Sequence, residues 1–205
     1  MIMLFLRFLL FLPFFPIIFL HKDLGTKANV TFKWEVQESS TLGIEGQSNI
    51  NKFRCDIEKY HQPDTIICYG DAVTSNPVKL KGSLKIDLFT FNCHSRLITN
   101  DMRKTLKADE YPKLVIHFIS LDRAPVLNSD TDNVKGLVNI ELAGVTKNFE
   151  ILYSFTKQGS SSILLNGGRT FNFSDFNLKP PKKLGGIIQI KDEFSVNFKL
   201  MLIPF

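Results

Sequence analysis

The stretch of sequence that decides the fold is Leu106-Lys-Ala-Asp-Glu-Tyr-Pro-Lys-Leu-Val-Ile-His-Phe118. It marks the end of a short helix and the start of a strand. Residues 99–108 supply capping residues and then helix formers, and Met102 and Leu106 are four apart, on one helix face. Pro112 disfavours a helical conformation for the residue before it, so the predicted helix must end upstream.

The segment after Pro112 has the spacing of a β-strand. Leu114, Ile116 and Phe118 alternate with the residues between them, which predicts a strand over 113–121. A single short helix placed between long strands indicates an antiparallel β protein in which that helix covers part of the sheet.

The same alternation predicts further strands along the chain. They cover 31–36, 48–57, 82–91, 138–142, 149–155, 170–174 and 193–202. Residues 58–80 contain two prolines and are predicted as a long hairpin excursion. The pairs Gly167-Gly168 and Gly185-Gly186 are predicted as turns. About eight strands, one helix and no strand–helix alternation predict an up-and-down barrel or a closed sandwich.

Length and composition allow one globular domain. The chain has 205 residues, of which 44% are hydrophobic and 22% charged, enough for a barrel with a real core. Its formal net charge is +5, but no basic block is interleaved with aromatic residues, so nucleic-acid binding is not predicted. A mildly basic protein could contact an anionic membrane surface, although a solvated surface is the simpler interpretation. The oligomeric state stays open, a homodimer included.

Residues 1–20 form a separate apolar segment. Arg7 is their only charged residue, and the segment resembles a secretory signal peptide, which predicts a periplasmic or secreted protein. An uncleaved membrane anchor is the alternative, because about 20 apolar residues can span a bilayer. Pro13 and Pro16 disfavour a spanning helix.

The three cysteines, Cys55, Cys68 and Cys93, allow one disulfide and one remaining thiol in an exported protein. No CxxC motif occurs, and no histidine pair has metal-ligand spacing. The sequence therefore predicts no metal site.

No catalytic constellation assembles either. In Cys93-His94-Ser95, neighbouring strand residues would point to opposite faces, which argues against a Cys–His dyad. His117 lies on the face opposite the apolar row of its strand, and no known nucleophile, metalloprotease or phosphate-binding motif is present. The sequence predicts no enzyme and no cofactor.

The predicted inward-facing residues are large and apolar. A barrel of about eight strands is just wide enough either to be filled by its own side chains or to hold one slender ligand. From the pattern alone, the self-filled barrel is the simpler interpretation. Such a protein would have a structural or partner-binding role.

Three motifs, taken in order, resemble the YceI-like family of exported bacterial polyisoprenoid-binding proteins. The first is the Leu106–Phe118 stretch, in which Tyr-Pro precedes a strand. The second is the turn Gly144-Val-Thr-Lys147, and the third is Ser174-Asp-Phe-Asn-Leu178. The resemblance runs from about Trp34 to the C-terminus.

The resemblance implies a lipocalin-like antiparallel β-barrel over residues 31–205, with an apolar cavity that holds an isoprenoid chain of polyprenyl phosphate or quinone type, without catalysis. Each buried methylene of such a chain is worth about 0.8 kcal/mol, so tight binding needs no polar anchor. Arg169, Lys179, Lys182 and Lys183 are candidates for a phosphate headgroup, although a solvated loop is the simpler interpretation. The inward rows become candidate ligand contacts: Leu84, Ile86, Leu88, Leu114, Ile116, Phe118, Val138, Ile140, Leu142, Phe149, Ile151, Tyr153, Phe155, Phe171, Phe173, Val196 and Phe198.

The resemblance also bears on the cysteines. The most similar members carry a Phe-x-Cys like Phe53-Arg-Cys55 and another cysteine like Cys93. This suggests a Cys55–Cys93 disulfide that leaves Cys68 free.

Overall fold

The computed structural model describes residues 29–57, 59–71, 77–127 and 131–205. The predicted signal peptide, residues 1–20, lies outside the described residues. The described ranges contain one α-helix, α1 (Arg96–Thr105), and twelve strands. The strands are β1 (Asn29–Val36), β2 (Thr41–Ser48), β3 (Lys52–Ile57), β4 (Thr65–Asp71), β5 (Val78–Lys81), β6 (Ser83–Asp87), β7 (Lys113–Leu121), β8 (Asp132–Leu142), β9 (Val145–Gln158), β10 (Ser162–Asn172), β11 (Lys182–Lys183) and β12 (Ile188–Pro204).

Eight strands form a closed antiparallel ring in the order β1, β4, β5, β7, β8, β9, β10 and β12. The ring closes where β12 returns to β1, with Trp34 opposite Pro204. The other half of β12 carries the β2–β3 hairpin, with Val196 opposite Ile44. β6 follows β5 after Gly82 and takes the same place in the barrel wall, because both strands pair with β7. The predicted lipocalin-like barrel with one short helix is confirmed.

The alternation of apolar and polar residues in the sequence explains why the strands bury one face in the barrel. In β8, Val138, Ile140 and Leu142 are buried, whereas Glu141 between them is exposed. Each fully buried aliphatic or aromatic side chain stabilises the fold by about 1.5–3 kcal/mol. Because both walls of the β8–β9 hairpin follow this alternation, a register slip of one residue would turn the whole apolar row to solvent.

The helix begins and ends three residues earlier than predicted. Ser95 precedes the first turn, and the chain leaves the helix at Leu106. Lys107 then adopts a left-handed φ of 54°, which ends the α-helical hydrogen-bond pattern well before Tyr111 and Pro112. Proline therefore fixes the extended entry into β7 but does not itself end the helix.

Other predicted boundaries are wrong as well. The strand predicted over 48–57 is interrupted, because β2 ends at Ser48 and β3 begins only at Lys52. The strand predicted over 82–91 stops at Asp87, because the Asp87 carboxylate accepts a hydrogen bond from the Phe89 amide at 2.8 Å and caps a 3₁₀ turn. Within the predicted excursion 58–80, the described residues contain two segments of barrel wall, β4, paired with β1, and the start of β5, paired with β7.

The turn predicted at Gly167-Gly168 is also wrong, because both glycines lie inside β10, opposite Phe198 and Asn197 of β12. The Phe198 ring lies against Gly167 so closely that a Cβ there would be 2.2 Å from a ring carbon. These glycines allow an aromatic ring to approach the strand backbone, which is a role that glycine has within sheets.

A disulfide joins Cys55 of β3 to Cys93, just before α1. It ties the β2–β3 hairpin to the start of the helix. Cys68 is a free, buried thiol, and burial raises its pKa to about 11, so it stays protonated at neutral pH.

A bidentate ion pair at one end of the barrel makes acid stability testable. Arg123 donates to both carboxylate oxygens of Asp132 at 2.6 and 2.7 Å, and the Val126 amide donates to the same carboxylate at 2.8 Å. The hydrogen bond from Arg123, ahead of that from Val126, lowers the pKa of Asp132. A carboxyl with a lowered folded-state pKa stabilises the fold above its unfolded pKa of about 4, and this stabilisation is lost as the pH falls through the folded value.

We expect Asp132→Asn to lower the free energy of unfolding at pH 7 by about 1 kcal/mol, a modest value because the Arg123 side chain is 38% exposed. Urea unfolding at pH 7 and pH 3 measures the difference, which should shrink at pH 3. Glu150→Gln is the matched control, since the Lys135–Glu150 pair is more than half exposed on both sides. A destabilisation independent of pH would contradict the assignment.

Candidate functional site: an apolar cavity under the helix

The barrel side chains leave an unfilled cavity of about 320 Å³. Helix α1 covers it through Ile98, Met102 and Thr105, with Leu106 following. Met102 and Leu106 are the pair that the sequence placed on one helix face, and that face is the one turned toward the cavity. A cavity of this size is within the range of small-ligand sites in proteins.

Most of the predicted interior residues line this cavity. They are Leu84, Leu88, Leu114, Ile116, Phe118, Val138, Ile140, Leu142, Ile151, Tyr153, Phe171, Phe173, Val196 and Phe198. Ile86, Phe149 and Phe155 do not line it, although all three are buried.

The two phenylalanines outside the lining are held elsewhere by other rings. Phe149 packs edge-to-face on Phe171, with ring centroids 4.8 Å apart, and Phe155 packs against Trp34 at 6.1 Å. They belong to the side-chain core that surrounds the cavity. Ile86 is 3% exposed and belongs to the same core.

Residues from three other segments complete the lining. They are Ile44, Ile50, Asn51, Phe53 and Cys55 around β2 and β3, Leu97 and Asp101 of the helix, and Arg169, Phe176, Pro181, Lys183, Ile188, Ile190 and Phe194 from the barrel side. Phe194 was detectable, because it continues the alternation of Val196 and Phe198. Ile44, Phe53 and Cys55 were detectable in the same way, because they lie at alternating positions of β2 and β3. Strand periodicity gives no signal for Ile50, Asn51 and Pro181, which lie outside the strands.

The charged side chains in the lining lie at its edge and are held by other groups. Lys183 Nζ lies 2.5 Å from Asp101 Oδ1, so the ion pair links β11 to the covering helix. The Arg169 guanidinium lies over the Phe149 and Phe171 rings and donates to the Glu150 carbonyl at 2.8 Å. Of the four predicted headgroup candidates, Lys183 and Arg169 therefore border the cavity, whereas Lys179 and Lys182 are exposed.

Tyr153 is the polar-tipped side chain deepest in the lining. It is 1% exposed, and burial raises the pKa of its phenol, which keeps the hydroxyl neutral. The interior therefore presents apolar surface with a neutral hydroxyl, and its charged groups are confined to the edge. Such a lining suits an uncharged chain and disfavours an ionised group inside.

The other polar side chains that the sequence singled out do not join the cavity. Ser83 Oγ and His117 Nδ1 lie 2.8 Å apart on neighbouring strands, and neither lines the cavity. Cys93 is bonded to Cys55. Within the described ranges, no group of three or more His, Cys, Asp or Glu side chains could hold a metal ion. In the same residues, no helix is long and apolar enough to cross a bilayer.

Solved structures with the same fold are known. A polyisoprenoid-binding domain from Saccharophagus degradans, implicated in plant cell wall breakdown, matches with a TM-score of 0.59 and 14% identity, over 84% of this chain and 98% of that one. BcnA from Burkholderia cenocepacia matches with a TM-score of 0.59 and 16% identity, over 80% of this chain and 96% of that one. No family model and no curated protein matches the sequence.

At these identities the likeness shows the fold. It confirms the barrel that the resemblance to YceI-like proteins implies. The ligand and the cellular location of this chain are not carried over with the fold.

Proposed function

We propose that the chain is an exported YceI-like lipid-binding protein that holds an isoprenoid chain in its barrel cavity without catalysis. The observation that carries the proposal is the unfilled apolar cavity of about 320 Å³, bordered by charges only at its edge. The alternative, a barrel filled by its own side chains with a structural or partner-binding role, has no explanation for this space.

The physical chemistry of the lining supports a long hydrocarbon as the ligand. Burying about ten methylene groups is worth about 8 kcal/mol before the entropic cost of binding. A ligand that keeps its headgroup at the edge would leave the apolar interior to its tail. The solved domain of the same fold from Saccharophagus degradans is described as polyisoprenoid binding, which favours an isoprenoid over an unbranched chain.

The edge of the cavity bears on the headgroup. The Lys183–Asp101 pair presents one positive and one negative charge, so it accommodates either a neutral quinone ring or a phosphate that displaces Asp101 from Lys183. Both headgroups remain within the proposal.

Native mass spectrometry and organic extraction of protein purified from its own host test the proposal. We expect a bound lipid whose mass fits a series of isoprene repeats. Protein that carries no lipid and binds neither added polyprenyl phosphate nor quinone would overturn it.

The intact mass of the same preparation tests export. Loss of about 20 N-terminal residues is expected if residues 1–20 are a cleaved signal peptide. A full-length mass would instead support the uncleaved anchor.

A further inference from the structure

Four large apolar side chains around the cavity edge are exposed to solvent. Ile50, Leu97, Leu184 and Ile187, here called the apolar rim, are 64%, 69%, 70% and 72% exposed. Ile50 and Leu97 also line the cavity. Among the other large apolar side chains of the described residues, only Phe205 at the C-terminus is more than 60% exposed, at 68%.

Hydrogen bonds and an ion pair hold the rim segments together. The Asn49 side chain donates to the Ile187 carbonyl at 2.9 Å and accepts from the Gln189 amide at 3.0 Å, so the turn with Ile50 lies beside Ile187. The Lys183–Asp101 pair fixes the loop that contains Leu184 to helix α1, which also carries Leu97. The four side chains thus belong to one continuous border of the cavity.

The segments that carry the rim are strongly basic. Residues 48–53, 95–105 and 179–190 contain seven basic residues and one acidic residue, a net charge of +7 − 1 = +6, whereas the whole chain has +5. The acidic residue, Asp101, is paired with Lys183, and Arg103 is turned toward the Phe89 carbonyl. The basic residues are Lys52, Arg96, Arg103, Lys104, Lys179, Lys182 and Lys183.

Apolar side chains surrounded by cations are the combination that binds an anionic bilayer surface. The apolar groups insert at the headgroup boundary, and each nearby Lys or Arg strengthens binding to anionic lipid by about fivefold. A second copy of this chain would bring the same positive charge to the interface, and the two surfaces would repel each other.

We propose that the apolar rim docks the barrel, cavity edge first, onto the surface of an anionic lipid bilayer. Docking needs only the rim and its charges and does not depend on what the cavity holds. One consequence rests on the proposed function: an apolar chain could pass between bilayer and cavity without crossing water.

The test is sedimentation with vesicles of mixed anionic and zwitterionic phospholipid, compared with purely zwitterionic vesicles. The full chain is folded and then cleaved at a protease site introduced before Asn29, so that the apolar first segment does not itself bind vesicles. We expect binding to the anionic vesicles that falls at least tenfold when salt is raised, because exposed charges are screened.

Two double variants test the apolar side chains and the basic side chains of this surface separately. The Leu97→Asp, Ile187→Asp double variant should lower vesicle partitioning at least tenfold. The Lys179→Glu, Lys182→Glu double variant should lower it by at least about fivefold for each lysine that is replaced. Leu152→Asp is the matched control, since Leu152 is 56% exposed on β9, away from the rim, and should leave partitioning unchanged. Circular dichroism confirms that each variant is folded.

Equal loss in the control and the rim variants would overturn the proposal. So would a stable dimer in sedimentation velocity that the Leu97→Asp, Ile187→Asp variant abolishes while vesicle binding is absent. Vesicle binding is measured on both lipid-extracted and untreated protein. Sedimentation therefore reports docking alone, whereas the mass spectrometry described above reports isoprenoid binding, and a failure of one is distinguished from a failure of the other.

Discussion

Val138→Phe is expected to lower the isoprenoid content of the purified protein at least tenfold without lowering the thermal midpoint of the lipid-extracted protein, in which no ligand contributes to stability. Val138 is 1% exposed and lines the cavity. The larger ring would occupy space that is unfilled in the protein, so it should add van der Waals contacts instead of causing the strain of an overpacked core. The same ring removes volume that the ligand needs.

Val134→Phe provides the control on the same strand. Val134 is 2% exposed and lies four residues before Val138 on the same face of β8, but it does not line the cavity. It sits opposite Tyr153 in the β8–β9 ladder, and its own side chain belongs to the packed core and does not border the cavity. We expect overpacking to cost about 1–3 kcal/mol there and to lower the thermal midpoint.

Native mass spectrometry gives the ligand content of each folded variant, and differential scanning calorimetry gives the midpoint. If the cavity is assigned correctly, the thermal midpoint should be maintained in Val138→Phe and lowered in Val134→Phe. Equal ligand content in Val138→Phe and the unchanged protein would contradict it, whatever happens at Val134.

Strand periodicity predicts which face of a strand is buried but does not separate cavity from filled core. Phe171 and Phe149 illustrate this, because both belong to predicted inward rows and are buried, yet only Phe171 lines the cavity. Phe149 packs on Phe171 and Phe176, and it is the rings of those two residues that line the cavity. Which rings find such partners depends on contacts between distant strands, and a local pattern does not contain that information.

The cavity edge was predicted only in part, for a related reason: Arg169 and Lys183 were candidates for a headgroup, but the ion pair at this edge was not predicted. Lys183 and Asp101 are 82 residues apart, and no spacing rule connects them. The loop that carries Lys183 was predicted as a turn with lysines that are candidates for a headgroup, but its position over the barrel depends on hydrogen bonds to Asn49. Function-bearing edges of barrels are generally built from such loops, whose placement is set by the scaffold.

The three sequence motifs predicted the fold well because they contact one another. The Tyr111 ring lies against Gly144, where a Cβ would be 2.8 Å from a ring carbon, so the first motif packs on the second. Lys147 Nζ lies 3.5 Å from Asp175 Oδ1, which joins the second motif to the third. The motifs therefore form one structural cluster that positions the start of β7, the β8–β9 turn and the end of β10. Such a cluster identifies the barrel and says little about its ligand.

Breaking the Cys55–Cys93 disulfide is expected to lower the free energy of unfolding by about 4 kcal/mol. The two cysteines are 38 residues apart. The entropy of closing a loop of that length in the unfolded chain corresponds to about 4 kcal/mol at 25 °C. In urea, with a typical slope of about 2 kcal/mol per molar, the midpoint should fall by about 2 M. The measurement is urea unfolding with and without a phosphine reductant.

Two cysteine variants separate this effect from general sensitivity to reductant. The Cys55→Ala, Cys93→Ala double variant should be destabilised already and show no further shift with reductant. Cys68→Ala should keep the full reductant effect, because Cys68 is a free thiol in the structure and is not part of the bond. If reductant left the midpoint of the unchanged protein where it was, while thiol labelling showed that Cys55 and Cys93 had become free, the disulfide would not be what holds the β2–β3 hairpin to the start of helix α1.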